Sequence, residues 1–448
     1  MEPKITVVDA MMGKGKTSWA IQYMNEHAHD SFIFITPFLD EIERIKNHTE
    51  IPFKSPENYG EGKLADLKRL LANGDNVAAT HQLFLSSDNE VDDLFREGEY
   101  TLILDEELDV IRSYADALSG KEKDEFKMRE DDILYMRQEH LIEIEGGETG
   151  FVRWGDKYGN GDFKYSRVRG FAKRDSLICI DGKALFWIYP HTIFRAFKEI
   201  YIMTYQFEGT WLSSYFRFFD IPITKMSVEK ESGTKYVLCP YSSETDKELR
   251  KGVADLIKVI DKDDYNKIGE RKRSSLSKNW YDNARPADIR TIKTCFDTVR
   301  RNYLKSPAKD LMWTVFKTER HKVKVKGSTW TIPEGEAKNI AKEKYGIAGG
   351  EELERFLKKY QCFVPVNARA TNDFADRTKL AYFCNIYPNP EIQKFFRVRG
   401  CEMDARLYAT NTLIQWIWRS AIRNGKPITL YMPSVRMREL LNQWLGGD

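Results

Sequence analysis

Short apolar runs separated by helical patterns dominate the first half of the chain. Each run is bounded by polar or turn-forming residues and predicts a buried strand. The runs are 5–8, 32–35, 77–79, 101–104 and 200–203. Because strands that alternate with helices are typical of a parallel sheet with crossover connections, the sequence predicts an α/β fold.

The pattern changes between residues 115 and 195. A charged helix is predicted over 121–137, and the glycine-rich stretch 146–180 contains alternating segments that favour hairpins. We therefore predict a β-rich subdomain inserted at about 115–195. Its basic residues are interleaved with aromatic ones, which suits binding of a nucleic-acid single strand. A solvated hairpin face is the alternative.

A polar segment at 224–234 is predicted to link two domains, the first spanning 1–225 and the second 235–448. The second domain is locally basic, because residues 251–330 contain 20 Lys and Arg against 10 Asp and Glu, whereas the whole chain has a formal net charge of only +2. A nucleic-acid site must therefore be a local patch. Residues 270–275 are predicted to form a mobile loop that either contacts phosphates or is a solvated face.

The loop after the first strand has the form of a phosphate-binding loop, since residues 10–17 read A-x-x-x-x-G-K-T. Gly13 and Gly15 let backbone N–H groups turn towards phosphate oxygens. Lys16 reaches the β- and γ-phosphates, and the Thr17 hydroxyl ligates Mg²⁺. The residues predicted to bind ATP are Met12, Gly13, Lys14, Gly15, Lys16, Thr17 and Ser18.

Acidic residues follow the strand at 101–104. Asp105 is predicted to hold Mg²⁺ through water, and Glu106 to orient and deprotonate the attacking water. The alternative is a strand end capped by solvated acids. The phosphate loop upstream favours the ATPase interpretation.

A helix is predicted over 410–423, near the end of the chain. Gln415, Arg419 and Arg423 are spaced four apart and would share one face of it. We predict that this face completes the catalytic site, with a face of structural ion pairs as the alternative.

The cysteine pattern argues against a zinc site or disulfide framework. The six cysteines are scattered without a C-x-x-C pair, so we expect reduced thiols and a cytosolic compartment. The first strand begins almost at once, so no signal peptide is expected, and no apolar run is long enough for a membrane span.

These motifs, taken in order, resemble those of superfamily 2 helicases. In their amino-acid residues they look most like phage-encoded DEAD-like helicases. The segments that carry the resemblance are 13–17, 36–37, 80–81, 105–107, 203–205, 415–423 and 431–434. The resemblance implies two RecA-like lobes with parallel sheets, ATP and Mg²⁺ in the cleft, and nucleic acid across both lobes. It also implies that the following residues contact nucleic acid: Thr36, Pro37, Thr80 and His81 from lobe one, and Asn367, Arg369 and Asn372 from lobe two.

Two departures from the family pattern affect the site. Leu108 stands at the fourth position of the Asp-Glu motif, where the family has a polar residue. Arg419 and Arg423 are four apart instead of three, which leaves open which of them reaches the γ-phosphate.

The function expected from the sequence is a nucleic-acid-dependent ATPase of helicase type that couples ATP hydrolysis to translocation or strand separation. The expected setting is phage DNA replication or recombination in the host cytoplasm. The expected partners are single-stranded or forked DNA, with RNA as an alternative, and replication or recombination proteins. Two rivals are a terminase-like packaging motor and an ATP-switched nucleic-acid-binding loader.

Overall fold

The computed structural model describes residues 3–118, 120–155, 164–305, 311–316, 342–343, 348–351, 363–367 and 374–446. The chain divides into two compact units. The first unit consists of Met1–Ala10, Gly15–Pro240 and Asn389–Asp404, and the second of Met11–Lys14, Tyr241–Pro388 and Ala405–Asp448. Two segments of the first unit therefore lie beyond the boundary predicted at 225.

The described strands, in chain order, are β1 (Lys4–Asp9), β2 (Phe32–Thr36), β3 (Phe53–Lys54), β4 (Asn76–Thr80), β5 (Thr101–Asp105), β6 (Ile111–Ser113), β7 (Ile142–Ile144), β8 (Gly150–Trp154), β9 (Leu177–Ile180), β10 (Ala184–Ile188), β11 (Glu199–Thr204), β12 (Thr224–Ser232), β13 (Lys235–Pro240), β14 (Ile257–Ile260), β15 (Leu311–Thr314), β16 (Lys379–Tyr382) and β17 (Ile428–Tyr431).

The described α-helices are α1 (Lys16–Glu26), α2 (Leu39–His48), α3 (Lys63–Ala72), α4 (His81–Leu85), α5 (Asn89–Glu97), α6 (Tyr114–Ala117), α7 (Glu122–Glu125), α8 (Glu130–Gln138), α9 (Ser166–Lys173), α10 (Trp211–Phe218), α11 (Ser243–Ala254), α12 (Asp263–Glu270), α13 (Lys278–Asp282), α14 (Pro286–Val299), α15 (Pro390–Arg397), α16 (Ala405–Ile417) and α17 (Val435–Trp444).

The main sheet of the first unit has eight strands in the order β13-β12-β1-β11-β5-β2-β4-β3. All neighbours pair in parallel except β12 and β13, which form an antiparallel hairpin at one edge. Side chains of β2 and β5 are buried along the whole strand, as expected for a parallel sheet covered by helices on both faces. The predicted α/β fold with parallel strands is confirmed.

The insertion after β5 is β-rich, as predicted. A five-stranded antiparallel sheet runs in the order β6-β10-β9-β8-β7 and is accompanied by the short helices α6 to α9. It has an apolar cluster of its own that includes Ile133, Met136, Val152 and Leu177. The helix predicted over 121–137 is instead two helices, α7 and α8.

The second unit contains a four-stranded parallel sheet in the order β14-β17-β16-β15. Phe296, Trp313, Phe383 and Tyr431 lie in the core on one face of this sheet. Among the described residues, no helix is long and apolar enough to cross a membrane.

Two local predictions are wrong. The segment predicted as a linker is β12, which pairs in parallel with β1, so a strand pairing replaces the expected loop. The helix predicted over 410–423 ends at Ile417, because the chain turns away and the Ala421 N–H donates to the carbonyl of Arg377 at 2.9 Å. Arg423 therefore lies in a separate 3₁₀ turn, Ala421–Asn424, and does not share a helical face with Gln415.

Candidate functional site

The phosphate-binding loop joins β1 to α1. The Ala10 N–H donates to the carbonyl of Thr204 at 3.1 Å, which ties the start of the loop to the end of β11. Gly13 and Gly15 have φ angles of +79° and +93°, in the left-handed region that glycine adopts without strain. Gly15 is also the N-cap of α1 and provides no capping side chain. A helix that begins at a glycine-rich loop without a capping side chain is the arrangement that binds phosphate.

Lys16 begins α1, and its side chain is 9% exposed. Its Nζ donates to the carbonyl of Ala10 at 2.5 Å, so the ammonium group folds back over the loop. Burial lowers the pKa of Lys16, while the charges of Glu106, Asp105 and Asp9 act in the opposite direction. A cation held among carboxylates at the base of a phosphate loop is well placed to receive phosphate oxygens.

Asp105 ends β5 and is buried, with 7% of the residue exposed. Burial first, and then the charges of Glu106 and Glu41, raise the pKa of Asp105 to about 7, although Thr36 and Lys16 lower it. Thr36 Oγ1 donates to Asp105 Oδ2 at 3.0 Å. A neighbouring cation would therefore relieve an unfavourable buried charge here.

Glu106 follows with a φ of +66°, an uncommon conformation for a residue with a side chain. Its N–H donates to the carbonyl of Met203 at 2.9 Å, which anchors this turn to β11. Strained backbone of this kind often occurs where a side chain must be aimed at a ligand. Glu106 is half-buried, so its carboxylate can still meet solvent.

The lobe-one residues expected to contact nucleic acid differ in accessibility. Thr36 and His81 are buried, and both turn towards Asp105: Thr36 hydrogen-bonds its carboxylate, and His81 Nε2 hydrogen-bonds its carbonyl at 2.9 Å. Thr80 caps α4 through its hydroxyl, which accepts the Leu83 N–H at 3.3 Å. Pro37 is half-buried. These contacts support the carboxylate site more directly than a nucleic-acid interface.

On the second unit, Asn367 is exposed. Arg369 and Asn372 lie outside the described residues.

A buried carboxylate that the motif reading missed lies at the end of β1. Asp9 is 1% exposed and accepts the N–H groups of Gln206 and Phe207 at 2.8 and 3.0 Å. Lys225 Nζ lies 2.9 Å from the same carboxylate. Asp9 therefore holds the turn after β11 against the phosphate loop. An acid that ends an apolar strand just before the loop was the signal available in the sequence.

The ring of Tyr236 on β13 lies against Gly15, at the end of the phosphate loop. A Cβ atom placed on Gly15 would be 2.1 Å from Cε1 of the Tyr236 ring, so only glycine allows this approach. The Gln22 side chain fixes the strand to α1 by accepting the Tyr236 N–H at 2.9 Å and donating to its carbonyl at 3.1 Å. The sequence did not suggest this contact, because it predicted a linker before β13.

The arginines of the second unit have different environments. Arg419 is 7% exposed, and its Nη1 donates to the carbonyl of Gln415 at 3.2 Å. Gln415 Nε2 donates to Asn411 Oδ1 at 3.2 Å, within α16. Arg423 is exposed. Arg419 is therefore the arginine with a fixed orientation in this segment.

Basic residues of the insertion are ion-paired within it. Arg153 pairs with Glu145, Lys164 with Asp132 and Arg167 with Glu122, while Lys157 and Tyr158 lie outside the described residues. These pairs favour the alternative of a solvated structural face.

Both residues predicted to hold Mg²⁺ offer oxygen donors, a hydroxyl from Thr17 and a carboxylate from Asp105. Among the described residues, no group of three or more His, Cys, Asp and Glu is placed to hold a metal ion. Magnesium commonly needs only one or two carboxylates, with water and substrate phosphates completing its shell. The buried carboxylate with a raised pKa fits such an ion.

Two family models match the chain, a YonV middle domain over residues 124–187 and a YonV C-terminal Rossmann-like domain over residues 251–445. The SPbeta prophage-derived uncharacterized protein YonV of Bacillus subtilis (strain 168) is 32% identical over 457 residues, covering 99% of this chain and 99% of that protein.

Two solved structures are similar in fold. An XPD apo structure has a TM-score of 0.51 at 14% identity, and an XPD helicase structure has a TM-score of 0.50 at 13% identity. Each alignment covers 100% of this chain and 96% of the other. At these identities the similarity concerns the fold alone, and it supports the two-lobed α/β class predicted from the motifs.

Proposed function

We propose that this chain, which belongs to the YonV family and is similar in fold to XPD structures, is a nucleic-acid-dependent ATPase of superfamily 2 helicase type. The observation that carries this proposal is the buried Lys16, whose Nζ donates to the carbonyl of Ala10 at the start of the phosphate loop. Burial lowers the pKa of Lys16, and the nearby charges of Glu106 and Asp105 oppose that shift. A cation and two carboxylates around a glycine loop are the parts that phosphoryl transfer to water requires.

Each residue has a separate role in the proposed reaction. Lys16 and the first-turn N–H groups of α1 bind the β- and γ-phosphates. Thr17 and Asp105 would hold Mg²⁺, whose chemistry is to neutralise charge on these phosphates. Glu106 orients a water molecule in line with the γ-phosphate and accepts its proton. Water thereby attacks phosphorus, and ADP leaves with the electrons of the broken P–O bond.

Arg419 is the second-unit residue proposed to stabilise the transition state. A guanidinium near the γ-phosphate meets charge that spreads over its oxygens as the bond breaks. Supply of this charge by the second unit would make hydrolysis depend on nucleic acid, which would hold the lobes in the productive arrangement. Its fixed orientation in the structure and its place in the motif favour Arg419 over the exposed Arg423.

The proposed nucleic-acid partner is single-stranded or forked DNA, with RNA as the alternative to be compared. The relative named as prophage-derived supports a phage setting, within which we propose DNA replication or recombination. The net charge of +2 argues that binding relies on local basic surface and backbone phosphates. Affinity should therefore fall steeply with salt and depend little on sequence.

A strand-displacement assay beside a turnover assay tests the helicase part. A duplex with a single-stranded tail should be separated only with ATP, and a Glu106→Gln protein should bind the same substrate without separating it. Turnover without displacement would instead favour the ATP-switched loader. A terminase-like packaging motor would need a nuclease domain after its ATPase domain. The family model that matches residues 251–445 is described as Rossmann-like and gives no support to a nuclease there.

A further inference from the structure

The second unit contains a cavity that the proposed ATP site does not use. It has a volume of about 590 Å³ and lies between the loop after α12 and the helices α13 and α14. Its lining includes Arg271, Lys272, Ser274, Trp280, Asn283 and Arg285. We call it the Trp280 pocket. Its volume is within the usual range of ligand sites and suits one nucleotide unit.

The pocket is electropositive. Arg271, Lys272 and Arg285 line it together with a single acid, Asp288. Arg271 Nη1 donates to Asp288 Oδ1 at 2.6 Å, and Arg285 Nε donates to Asp288 Oδ2 at 2.9 Å, so one carboxylate serves two guanidinium groups. The two arginines stay oriented and retain excess positive charge, which favours a bound anion.

The loop that forms one wall is held in place, contrary to the expectation of a mobile loop at 270–275. Asn385 is 1% exposed, and its Nδ2 donates to the carbonyls of Arg273 and Ser275 at 2.8 and 2.9 Å. Tyr387 Oη donates to the Arg273 carbonyl at 3.1 Å. Because Asn385 follows the carboxyl end of β16, the pocket lies at the sheet edge where α/β folds bind ligands.

Trp280 supplies an aromatic wall. Trp280 is half-buried near the start of α13, and its backbone N–H donates to Ser277 Oγ at 3.2 Å. Its ring packs edge-to-face on Tyr281, with ring centroids 5.1 Å apart. Tyr281 is fully buried and donates to the carbonyl of Phe383 at 3.0 Å. Trp280 thus packs against the core of the second unit and, with the part that stays exposed, lines the pocket.

We propose that the Trp280 pocket binds one nucleotide of a nucleic-acid single strand, with its base stacked on Trp280 and a flanking phosphate on Arg271, Lys272 and Arg285. This inference rests on the proposed function for the class of partner and adds the site on the second unit. A stacked base beside a cationic backbone contact is the usual chemistry of sequence-tolerant single-strand binding.

The test measures binding of the full chain to a dT oligonucleotide of about 10 nucleotides, without ATP, over a range of salt. Trp280→Leu removes the aromatic face but keeps apolar volume, and affinity should fall about 5- to 100-fold. Trp280→Phe should retain most of the affinity. Lys272→Ala should reduce the slope of the logarithm of the binding constant against the logarithm of the salt concentration by about 0.7. Lys267 is an exposed lysine on α12, and Lys267→Ala should leave this slope unchanged.

A 5-iodouracil in the same oligonucleotide should crosslink to the peptide that contains Trp280. If Trp280→Leu and Lys272→Ala bind the oligonucleotide as tightly as wild type, and the crosslinks lie elsewhere, the Trp280 pocket is not the nucleotide site. The proposed function would still stand. Failure of the wild-type chain to bind DNA or RNA single strands would overturn both. Circular dichroism spectra that match wild type confirm that each variant is folded.

Discussion

Replacement of Asp105 by asparagine should stabilise the first unit in a pH-dependent way. Asp105 is buried, and its pKa is raised from the ordinary value of 3.8 to about 7. Between these two pH values the native protein holds a proton that the unfolded chain has lost. The free energy of unfolding of the wild-type protein therefore falls as pH rises through this window, and the loss is complete above about pH 7.

The magnitude follows from the pKa difference. Each pKa unit corresponds to about 1.4 kcal/mol, so ionised Asp105 destabilises the native state by about 4 kcal/mol above pH 7. Asparagine at this position does not ionise and can still accept the Thr36 hydroxyl. The stability advantage of Asp105→Asn should therefore grow by about 3 kcal/mol between about pH 5 and about pH 8.

Urea unfolding at several pH values, followed by tryptophan fluorescence, measures this difference. Asp40→Asn is the matched control, because Asp40 is exposed in the first turn of α2. Its effect should stay within about 1 kcal/mol at every pH. A stability difference for Asp105→Asn that does not change with pH, or a variant less stable than wild type at about pH 8, would show that the pKa of Asp105 is not raised by burial. The same variant should lose ATP hydrolysis, so stability and activity would move in opposite directions.

Four further substitutions test separate parts of the site. Glu106→Gln keeps the shape of the side chain but removes the proton acceptor, so ATP should bind and remain unhydrolysed. Equilibrium binding measures the first effect and phosphate release the second, and normal turnover would exclude Glu106 as the general base. Gly15→Ala places a Cβ 2.1 Å from the Tyr236 ring at a φ of +93°, so ATP affinity should fall by about tenfold or more in a binding titration, and unchanged affinity would contradict the loop geometry. Arg419→Lys should bind ATP and nucleic acid, but the nucleic-acid-stimulated rate of ATP hydrolysis should fall by the order of 10³-fold. Arg423→Lys should lose less of this rate, and a larger loss at Arg423 would make Arg423 the arginine that contacts the γ-phosphate.

The first sheet could be predicted closely because its strands are buried along their length. The apolar runs at 32–35 and 101–104 correspond to Phe32–Thr36 and Thr101–Asp105 within one residue at their ends. Their hydrophobicity alone determines where such strands lie. The polar strand β12 could not be predicted in this way, because Val228 is its one buried side chain and its pairing with β1 is a tertiary interaction.

The motif residues of the candidate site could be predicted from the sequence, but the remote contacts that hold them in place could not. The positions of Lys16, Asp105 and Glu106 follow from a loop and a strand end, both of which are local patterns. The contact of Tyr236 with Gly15 joins residues more than two hundred apart in the chain, and no local pattern reports it. The end of α16 at Ile417 is likewise set by a hydrogen bond to Arg377, a remote residue.

The rate of ATP hydrolysis by the full chain is the direct test of the proposed ATPase site. It should be measured without nucleic acid and with single-stranded DNA, duplex DNA and RNA, for the wild-type protein and for Lys16→Ala. We expect slow basal hydrolysis, stimulation by at least one single-stranded nucleic acid, and loss of both activities in folded Lys16→Ala. Hydrolysis by Lys16→Ala at the wild-type rate, or absence of hydrolysis by the wild-type protein under every condition, would rule out an ATPase site at Lys16.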